Sequence, residues 1–530
     1  MKMNKILSGM AAAALCCTAF VSCTKNFDDY NTNKHEATFE QMNTDDNFFR
    51  AFFMQLQRSV IFFRDGTYLD SDYQIMYNLS ADTWAGYFAP TLGRVPSTGN
   101  FYIIDGWTRS LWANKYNYAM NAWNQLDQYC ADADRPHIAA IGNILKVTSM
   151  HQVADAYGPM PYSEVGKAVA PKYDDLKDIY HQMLSELDEA VEALTDFAVR
   201  NPGAKIMAEN DFVYGGDPVK WAKFANSLRL RLAMRIVYAE PDLARTEAEK
   251  SIAHVYGVMT EASDIALMPS SIVPHHPIEE INVNFNDADT QINANLDCYL
   301  NGYNDPRISK FMKPASDGKY HGVRNGIEPA GNKWDNYKNA AGRVSAPNAT
   351  LYRLVWMNPA EVWFLRAEGA LRGWNMGIDA KTAYENGIAA SFEEWGVSGA
   401  DTYAANATAV PAAFVDNAGN NGAAAPSTVT IAWEEGADFE TSLEKIMTQK
   451  WIALFPNGSE AWSEYRRTRY PKLLTVAINE SNGIVDDNLQ IRRIPYPVSE
   501  YSTNAKNVAK GVALLGADNA GTKLWWDKKD

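Results

Sequence analysis

The sequence has few cysteines and no long apolar run, and both absences exclude classes of protein. Five cysteines occur in 530 residues, and three of them lie within the first 23. Only Cys130 and Cys298 remain for the folded part, so the chain is not a disulfide scaffold. It contains no Cys-x-x-Cys pair, which excludes a thiolate zinc site. No stretch beyond the N-terminus approaches the roughly 20 apolar residues of a membrane-spanning helix.

Positive charge is also scarce. Lysine and arginine total 49 against 64 aspartates and glutamates, a formal net charge of −15 at pH 7. A nucleic acid is not an expected partner, because neutralising phosphates requires a basic surface. Nucleotide-binding glycine loops and the GxSxG and HExxH motifs are missing, and no cofactor is expected. Aromatic residues, in contrast, are abundant, with 15 Trp, 27 Tyr and 21 Phe.

Residues 1–22 are typical of a bacterial lipoprotein signal peptide. Two lysines precede the apolar run 6–20, which is too short to span a bilayer. The run is followed by Ser22-Cys23, a small residue before a cysteine, as lipid attachment requires. Lipidation at Cys23 would hold the mature chain to a membrane through its lipid anchor alone. Ordinary signal cleavage beside an incidental Cys23 is the alternative.

The remainder divides into a polar segment, 23–40, that predicts a flexible tether, and residues 41–530, which we expect to form one helical domain. Apolar residues repeat at helical spacing through most of this domain. Residues 362–373 and 381–395 predict a helix pair of the size of one tetratricopeptide unit, about 34 residues. The fold class predicted is mostly α, with little β. Long irregular loops are expected at 64–106, 268–350 and 396–440.

Two acidic residues suggest catalysis, but a structural role is favoured. Asp155 and Glu164 flank a turn, and a pair of carboxylates held about 5–10 Å apart can hydrolyse a glycoside. The Gly158-Pro159 sequence between them is typical of a helix end followed by an extended exit. A set of arginines could bind an anion, although pairing with internal acids such as Glu464 and Glu368 is the favoured interpretation. These arginines are Arg229, Arg231, Arg235, Arg466, Arg467, Arg492 and Arg493.

A metal site is not expected. The polar stretch 284–289 resembles the start of an oxygen-rich cation loop, but it lacks the bidentate acid that calcium favours. A solvated turn is therefore the default. His275 and His276 lie between prolines, and no third ligand accompanies them.

Several segments in a fixed order together resemble one family. They are Asn26–Asn33 (NFDDYNTN), Val153–Glu164 (VADAYGPMPYSE), Trp221–Ala233 (WAKFANSLRLRLA), Asn304–Arg307 (NDPR), Arg366–Glu368 (RAE), Trp451–Gly458 (WIALFPNG) with Glu460–Trp462 (EAW), and Arg492–Pro497 (RRIPYP). This pattern is similar to that of the SusD/RagB family of nutrient-binding outer-membrane lipoproteins, and it covers nearly the whole mature chain.

The resemblance implies a SusD-like fold of tetratricopeptide-like helix pairs under long loops. It implies a non-catalytic protein that captures glycans and passes them to a SusC-like, TonB-dependent outer-membrane transporter. Asp28 and Asp29 resemble the acidic export tag of surface lipoproteins, so an outer-membrane, lipid-anchored and surface-exposed location is expected. Two alternatives stay open: the same fold binding peptides, and a helical glycoside hydrolase.

The candidate ligand-binding residues are aromatic, because a flat ring can cover a pyranose face while its N–H or O–H stays hydrogen-bonded. In family members the part of the chain around Trp84, Tyr87 and Trp107 contributes to the ligand surface. Trp334 and Tyr337, in the second loop region, are the next candidates. For each of these residues a place in the core is the alternative. Four tryptophans on helical faces are assigned to the core, namely Trp123, Trp221, Trp451 and Trp462.

Overall fold

A computed structural model describes residues 47–63, 71–91, 97–284, 290–329, 333–338 and 341–529. The chain divides into two units, 1–51 and 52–530. Residues 47–51 are the described part of the first unit, and they begin helix α1. The predicted signal peptide, the lipidation residue Cys23 and the tether all lie outside the described residues. The single domain over 41–530 stays a prediction.

The N-terminal half is built almost entirely from helices. In chain order they are α1 (Asn47–Arg58), α2 (Ser71–Tyr73), a π-helical turn (Gln74–Asn78), α3 (Ala81–Trp84), α4 (Asp105–Asn114), a second π-helical turn (Lys115–Met120), α5 (Asn121–Asp132), α6 (Pro136–Tyr157), α7 (Leu176–Arg200), α8 (Pro218–Arg235) and α9 (Pro241–Ala253).

The C-terminal half alternates helices with irregular segments. Its helices are α10 (Pro277–Asn284), α11 (Ala294–Gly302), α12 (Ile308–Phe311), α13 (Pro359–Leu371), α14 (Ala380–Trp395), α15 (Ala400–Ala404), α16 (Phe439–Leu454), α17 (Gly458–Thr468), α18 (Val498–Thr503) and α19 (Ala505–Leu515). Short 3-10 turns lie at Thr98–Asn100, Ala262–Asp264, Trp334–Tyr337 and Ala349–Leu351.

Strands are few and short among the described residues. Strand β1 (Phe88–Pro90) pairs antiparallel with β3 (Thr290–Ile292), and Ala89 lies opposite Gln291. Strand β2 (Ala266–Met268) pairs antiparallel with β4 (Leu354–Met357). The prediction of a mostly α fold with little β is therefore confirmed.

Neighbouring helices in the sequence pack as neighbours in space. Helices α5 to α9 pack in succession, each on the next, and α13 packs on α14 as the sequence predicts. The helix starts are encoded locally. Asp217 accepts hydrogen bonds from two backbone N–H groups at the start of α8, and Asn358 and Asp379 cap α13 and α14 in the same way. Proline begins α6, α8, α9 and α13, where its missing N–H has no intrahelical acceptor to lose.

Two of the predicted loop regions are partly helical: the region 268–350 contains α10, α11 and α12, and the region 64–106 contains α2 and α3. Residues 71–84 form α2, a π-helical turn and α3, and most of their side chains are buried. The π-helical turn shifts the apolar spacing away from 3.6 residues, which removes the pattern from which the helix could have been predicted. The stretch 396–440 is largely irregular, as expected, apart from α15.

The core holds a network of buried charges that joins α8, α13, α16 and α17. Arg231 pairs with Glu361 at 2.6 Å and Arg235 with Glu460 at 2.5 Å. Arg467, which is fully buried, pairs with both Glu368 and Glu464, each at 2.6 Å. Arginine forks suit paired carboxylates in this way. Six of the seven arginines pair with acids, as predicted, and Glu368 and Glu464 are among these acids; the six are Arg229, Arg231, Arg235, Arg467, Arg492 and Arg493. Arg466 is buried as well, but it donates to the Asp155 and Arg492 carbonyls.

Candidate functional site

The structure brings two distant parts of the chain together into one loop cluster, made of residues 83–90 and 97–104 from the first part and of residues 323–329 and 333–337 from the second. The Asn325 side-chain N–H donates to the Thr83 carbonyl at 2.9 Å, and that of Asn100 donates to the Gly326 carbonyl at 3.2 Å. Ala89 on β1 packs in one apolar cluster with Trp334 and Tyr337. Four of the five predicted ligand residues therefore lie in this loop cluster, and Trp107 follows it directly.

Trp84 and Tyr87 are buried within the loop cluster. The Trp84 indole N–H donates to the Thr98 carbonyl at 3.2 Å, and its ring lies 5.1 Å from that of Trp462. The Tyr87 hydroxyl donates to the Trp451 carbonyl at 2.5 Å, and burial raises its pKa well above the ordinary value. Neither ring has a face open to solvent in this structure. Their role as ligand contacts stays a prediction, and the geometry favours a structural role.

Trp334 and Tyr337 are also buried. They are the first and last residues of a 3-10 turn. The Tyr337 hydroxyl donates to the Asp416 carboxylate at 2.7 Å and accepts from the Asn421 side chain at 3.1 Å. The Trp334 indole N–H has no acceptor among the described residues. Their assignment as ligand residues likewise stays a prediction.

Trp107 differs from the other four candidates because its side chain is only partly buried. It lies in the first turn of α4 and lines a small apolar pocket with Trp84, Ile103 and Ile104. Tyr102, at the edge of the same loop, is 40% exposed. Sequence reasoning missed Tyr102, although its place in an aromatic-rich loop before a helix was a usable signal. The surface around Trp107 and Tyr102 is the candidate site.

The sequence motifs that carry the family resemblance are hydrogen-bonded to one another and to the residues near this surface. The Trp451 indole N–H donates to the Ala85 carbonyl at 2.8 Å, and the Gly458 N–H donates to the Asp82 carboxylate at 3.1 Å. Arg493 donates to the Tyr157 carbonyl, and the Tyr496 hydroxyl donates to the Pro159 carbonyl. These hydrogen bonds therefore attach the loop cluster to the helices and attach the motifs to one another.

Replacing Gly458 with alanine tests the contact between Gly458 and Asp82. A Cβ on residue 458 would lie 2.3 Å from the Asp82 Cα, so backbone must move. We expect Gly458→Ala to lower the free energy of unfolding by about 1–3 kcal/mol, as overpacking does. Denaturant unfolding measures the loss. Gly106→Ala is the matched control, because a Cβ on residue 106 would meet no heavy atom within 4 Å. Equal stability of both variants would contradict the close approach.

Comparison with known proteins decides the family. Residues 29–527 match the SusD-like family, described as SusD and RagB outer-membrane lipoproteins. The chain belongs to the SusD/RagB family. Among curated proteins, no match was found.

Solved structures of SusD homologues match over most of this SusD/RagB chain. A chitin-binding homologue from Flavobacterium johnsoniae is 38% identical, with a TM-score of 0.85, over 91% of this chain and 99% of that one. A homologue from Bacteroides uniformis is 36% identical, with a TM-score of 0.83, over 92% and 100%. One from Bacteroides thetaiotaomicron is 35% identical, with a TM-score of 0.80, over 91% and 99%. The SusD-like fold class is thereby confirmed.

The two carboxylates considered for catalysis do not share a cleft. Asp155 is buried, accepts a hydrogen bond from the Tyr180 hydroxyl and pairs with Arg235 at 3.6 Å. Burial raises the pKa of Asp155 although the neighbouring Arg235 lowers it. Glu164 lies at the surface and pairs with Lys172 at 3.4 Å. This arrangement places Asp155 in the core and Glu164 in solvent.

The remaining predictions concern metals, cysteines and tryptophans. No group of three or more potential metal ligands occurs in the described part of the chain, and residues 285–289 of the cation-loop candidate lie outside it. Cys130 and Cys298 are both buried and free. Trp221, Trp451 and Trp462 are core residues, as predicted.

The core assignment of Trp123 is wrong, because its side chain is partly exposed. The Lys146 ammonium lies 3.8 Å from the ring centroid, which accounts for an aromatic ring near the surface. Within the described residues, none of the helices has both the length and the apolar character needed to cross a membrane.

Proposed function

We propose that this SusD/RagB protein captures a glycan at the cell surface and passes it to a TonB-dependent outer-membrane transporter. The observation that carries the proposal is its 38% identity, over 91% of the chain, to a chitin-binding SusD homologue. An oligosaccharide of N-acetylglucosamine is therefore the first ligand class to test. In the proposed protein, Cys23 carries the lipid anchor, and the function requires no cofactor or metal.

The surface around Trp107 suits a sugar. A partly exposed indole can lie against the C–H face of a pyranose ring while the apolar pocket behind it holds the indole in place. Tyr102 adds a second exposed ring and a hydroxyl in the same loop. Shallow, aromatic surfaces of this kind bind by contact area and a few hydrogen bonds, with no requirement for an activated group.

We infer that the protein does not hydrolyse the glycan that it binds. A glycosidase needs two carboxylates that flank the scissile bond. In the proposed mechanism Asp155 instead fixes Arg235 and Tyr180 in the core. The described residues that line the Trp107 pocket are apolar or carry the hydroxyl groups of serine, threonine and tyrosine, and none of them is a carboxylate.

Replacing Trp107 with alanine tests both the ligand class and the site. We expect the unmodified protein to bind an N-acetylglucosamine tetramer saturably and to release no shorter product. We expect Trp107→Ala to weaken that binding at least about tenfold, since truncating an aromatic anchor costs roughly 1–2 kcal/mol or more. Isothermal calorimetry measures the affinity, and chromatography of the same samples measures the product.

A matched control separates loss of contact from loss of a tryptophan. Trp374 is also partly exposed, but it lies in the turn between α13 and α14 and does not line the pocket. Trp374→Ala should bind like the unmodified protein. Binding that is retained in Trp107→Ala would reject the proposed site but would still support a glycan as the ligand class. Binding of peptides but of no saccharide would reject the glycan proposal, and release of shorter sugars would reject the absence of catalysis.

A further inference from the structure

A second cleft lies outside the pocket at Trp107, and one of its lining residues, Phe455, also packs against Tyr87 of the loop cluster. It has a volume of about 300 Å³ and is lined by Lys310, Leu351, Arg353, Trp395 and Pro456 among others. Ligand pockets begin at about this size, which suits one or two sugar rings. It shares no lining residue with the pocket at Trp107. The inference drawn from it therefore does not rest on the proposed function.

The net charge of this cleft is opposite in sign to the net charge of the whole chain. The protein carries a net charge of −15, yet two cations and one carboxylate line the cleft. Lys310 has no ion-pair partner among the described residues. The Arg353 side chain is 45% exposed, and its one ion-pair partner in the described structure is Glu394, at 3.3 Å. The cleft thus presents an uncompensated positive charge and a half-exposed guanidinium.

Both carboxylate oxygens of Glu394 already accept hydrogen bonds from protein groups. One oxygen accepts from Arg353 and the other accepts from the Asn358 side-chain N–H at 2.8 Å. Glu394 lies in the last turn of α14, where the helix dipole disfavours a negative charge. Burial raises the pKa of Glu394 to about 7. Both oxygens of Glu394 are engaged by Arg353 and Asn358, so Lys310 is left to contact an incoming anion.

The walls of the cleft favour an anion with an apolar face. Leu351 is 45% exposed, and Pro456 and the Trp395 ring complete a largely apolar surface. The Trp395 indole N–H is shielded from water, so Trp395 contributes its ring and not its N–H to the wall of the cleft.

We propose that this cleft binds a sugar acid, a pyranose that carries a single carboxylate. Lys310 and Arg353 contact the carboxylate, and Leu351, Pro456 and the Trp395 ring cover the C–H face. A single negative charge matches the cleft, because its two cations are offset by one carboxylate. A doubly charged phosphate would leave the site with excess negative charge beside Glu394.

The matched pair of glucuronate and glucose tests this proposal, since the two differ at the carboxylate. Ligand-observed NMR with the purified full-length chain measures both affinities. We expect glucuronate to bind at least about tenfold more tightly than glucose, as a charge-assisted contact provides. Lys310→Ala should weaken glucuronate binding by a similar factor. Leu351→Ala removes part of the apolar wall and should weaken glucuronate binding several-fold.

Three further arms make the result decisive. Lys506→Ala changes an exposed lysine on α19 and should leave glucuronate binding unchanged. Equal binding of inorganic phosphate, or equal binding of glucose, would overturn the sugar-acid assignment. Glucuronate binding that is lost in Trp107→Ala but kept in Lys310→Ala would overturn the second site and would place the ligand at the loop cluster instead.

Discussion

Replacing Arg467 with methionine is expected to lower the free energy of unfolding by about 3–5 kcal/mol, the cost of breaking a buried ion pair from one side. Arg467 is fully buried, and its guanidinium donates to both oxygens of Glu368 and to both oxygens of Glu464. Methionine fills much of the volume but offers no donor. Two carboxylates would each lose a neutralising partner in a region that water does not reach.

The partners that remain set the size of the loss. Glu368 keeps Arg372 at 2.8 Å, and Glu464 keeps Lys450 at 2.9 Å and Arg235 at 3.2 Å. Burial by itself would raise the pKa of Glu464, yet Arg467, Lys450 and Arg235 together hold it well below the ordinary value. The stabilisation from this depressed pKa is present above the unfolded value near 4.5 and is lost as the pH falls.

Urea unfolding at pH 7 measures the effect, and two comparisons interpret it. Arg200→Met removes an exposed pair with Asp196 and should cost less than about 1 kcal/mol. The double variant Arg467→Met with Glu368→Gln should lose less than the sum of the two single losses, because it leaves fewer unpaired charges. A loss below about 1 kcal/mol for Arg467→Met would mean that the network does not depend on this residue.

The arginine network shows what a sequence reveals about a charged core. Arginines at 229, 231 and 235 fall on a helix rich in leucine and alanine, where a solvated charge has no place. Glu368 lies in the equally apolar helix α13, whereas Glu464 lies in α17, whose sequence GSEAWSEYRRT is mostly polar. Local pattern thus predicts the buried cations and a buried Glu368, and the need to neutralise them predicts pairing, but it does not predict that Glu464 is buried. Which acid meets which arginine depends on how α8, α13, α16 and α17 pack, and spacing along the chain does not contain that.

The aromatic residues show the opposite case. Trp84 and Trp107 have the same chemistry and lie in the same aromatic-rich stretch, yet one is buried and the other is partly exposed. Trp84 is covered by Trp462, which lies far along the chain on α17. Tyr87 is fixed by the carbonyl of Trp451, 364 residues away. Local periodicity contains no information on contacts at that separation. The sequence therefore identifies an aromatic-rich stretch, but it does not predict which of its aromatic residues are exposed.

The short helices at 71–84 explain a further buried acid. They place Asp82 in the core, 1% exposed, with the Gly458 N–H donating to its carboxylate. Asp82, His151 and His276 line a cavity of about 60 Å³. This is room for a few waters. Burial raises the pKa of Asp82 from 3.8 to about 8, so the folded protein holds this proton at neutral pH.

Asp82→Asn is expected to change the pH dependence of stability more than any exposed substitution does. The folded pKa is raised, so between about pH 4 and pH 8 the folded state binds a proton that the unfolded state has released. Stability of the unmodified protein therefore falls as the pH rises through this range, by up to about 6 kcal/mol from this group. Asparagine cannot ionise, and its side-chain oxygen can still accept from Gly458.

The difference in unfolding free energy between Asp82→Asn and the unmodified protein isolates this effect. Burial lowers the pKa of His151 and of His276 to about 3, so both histidines also make stability depend on pH, but they contribute equally to the two proteins and cancel. We expect the difference to favour the asparagine variant increasingly from pH 5 to pH 8 and to level off above pH 8. Urea midpoints at each pH measure it, and Asp401→Asn at an exposed position should give a flat difference. A flat difference for Asp82→Asn would mean that Asp82 is ionised in the core, and that the cavity and the Gly458 N–H stabilise its charge.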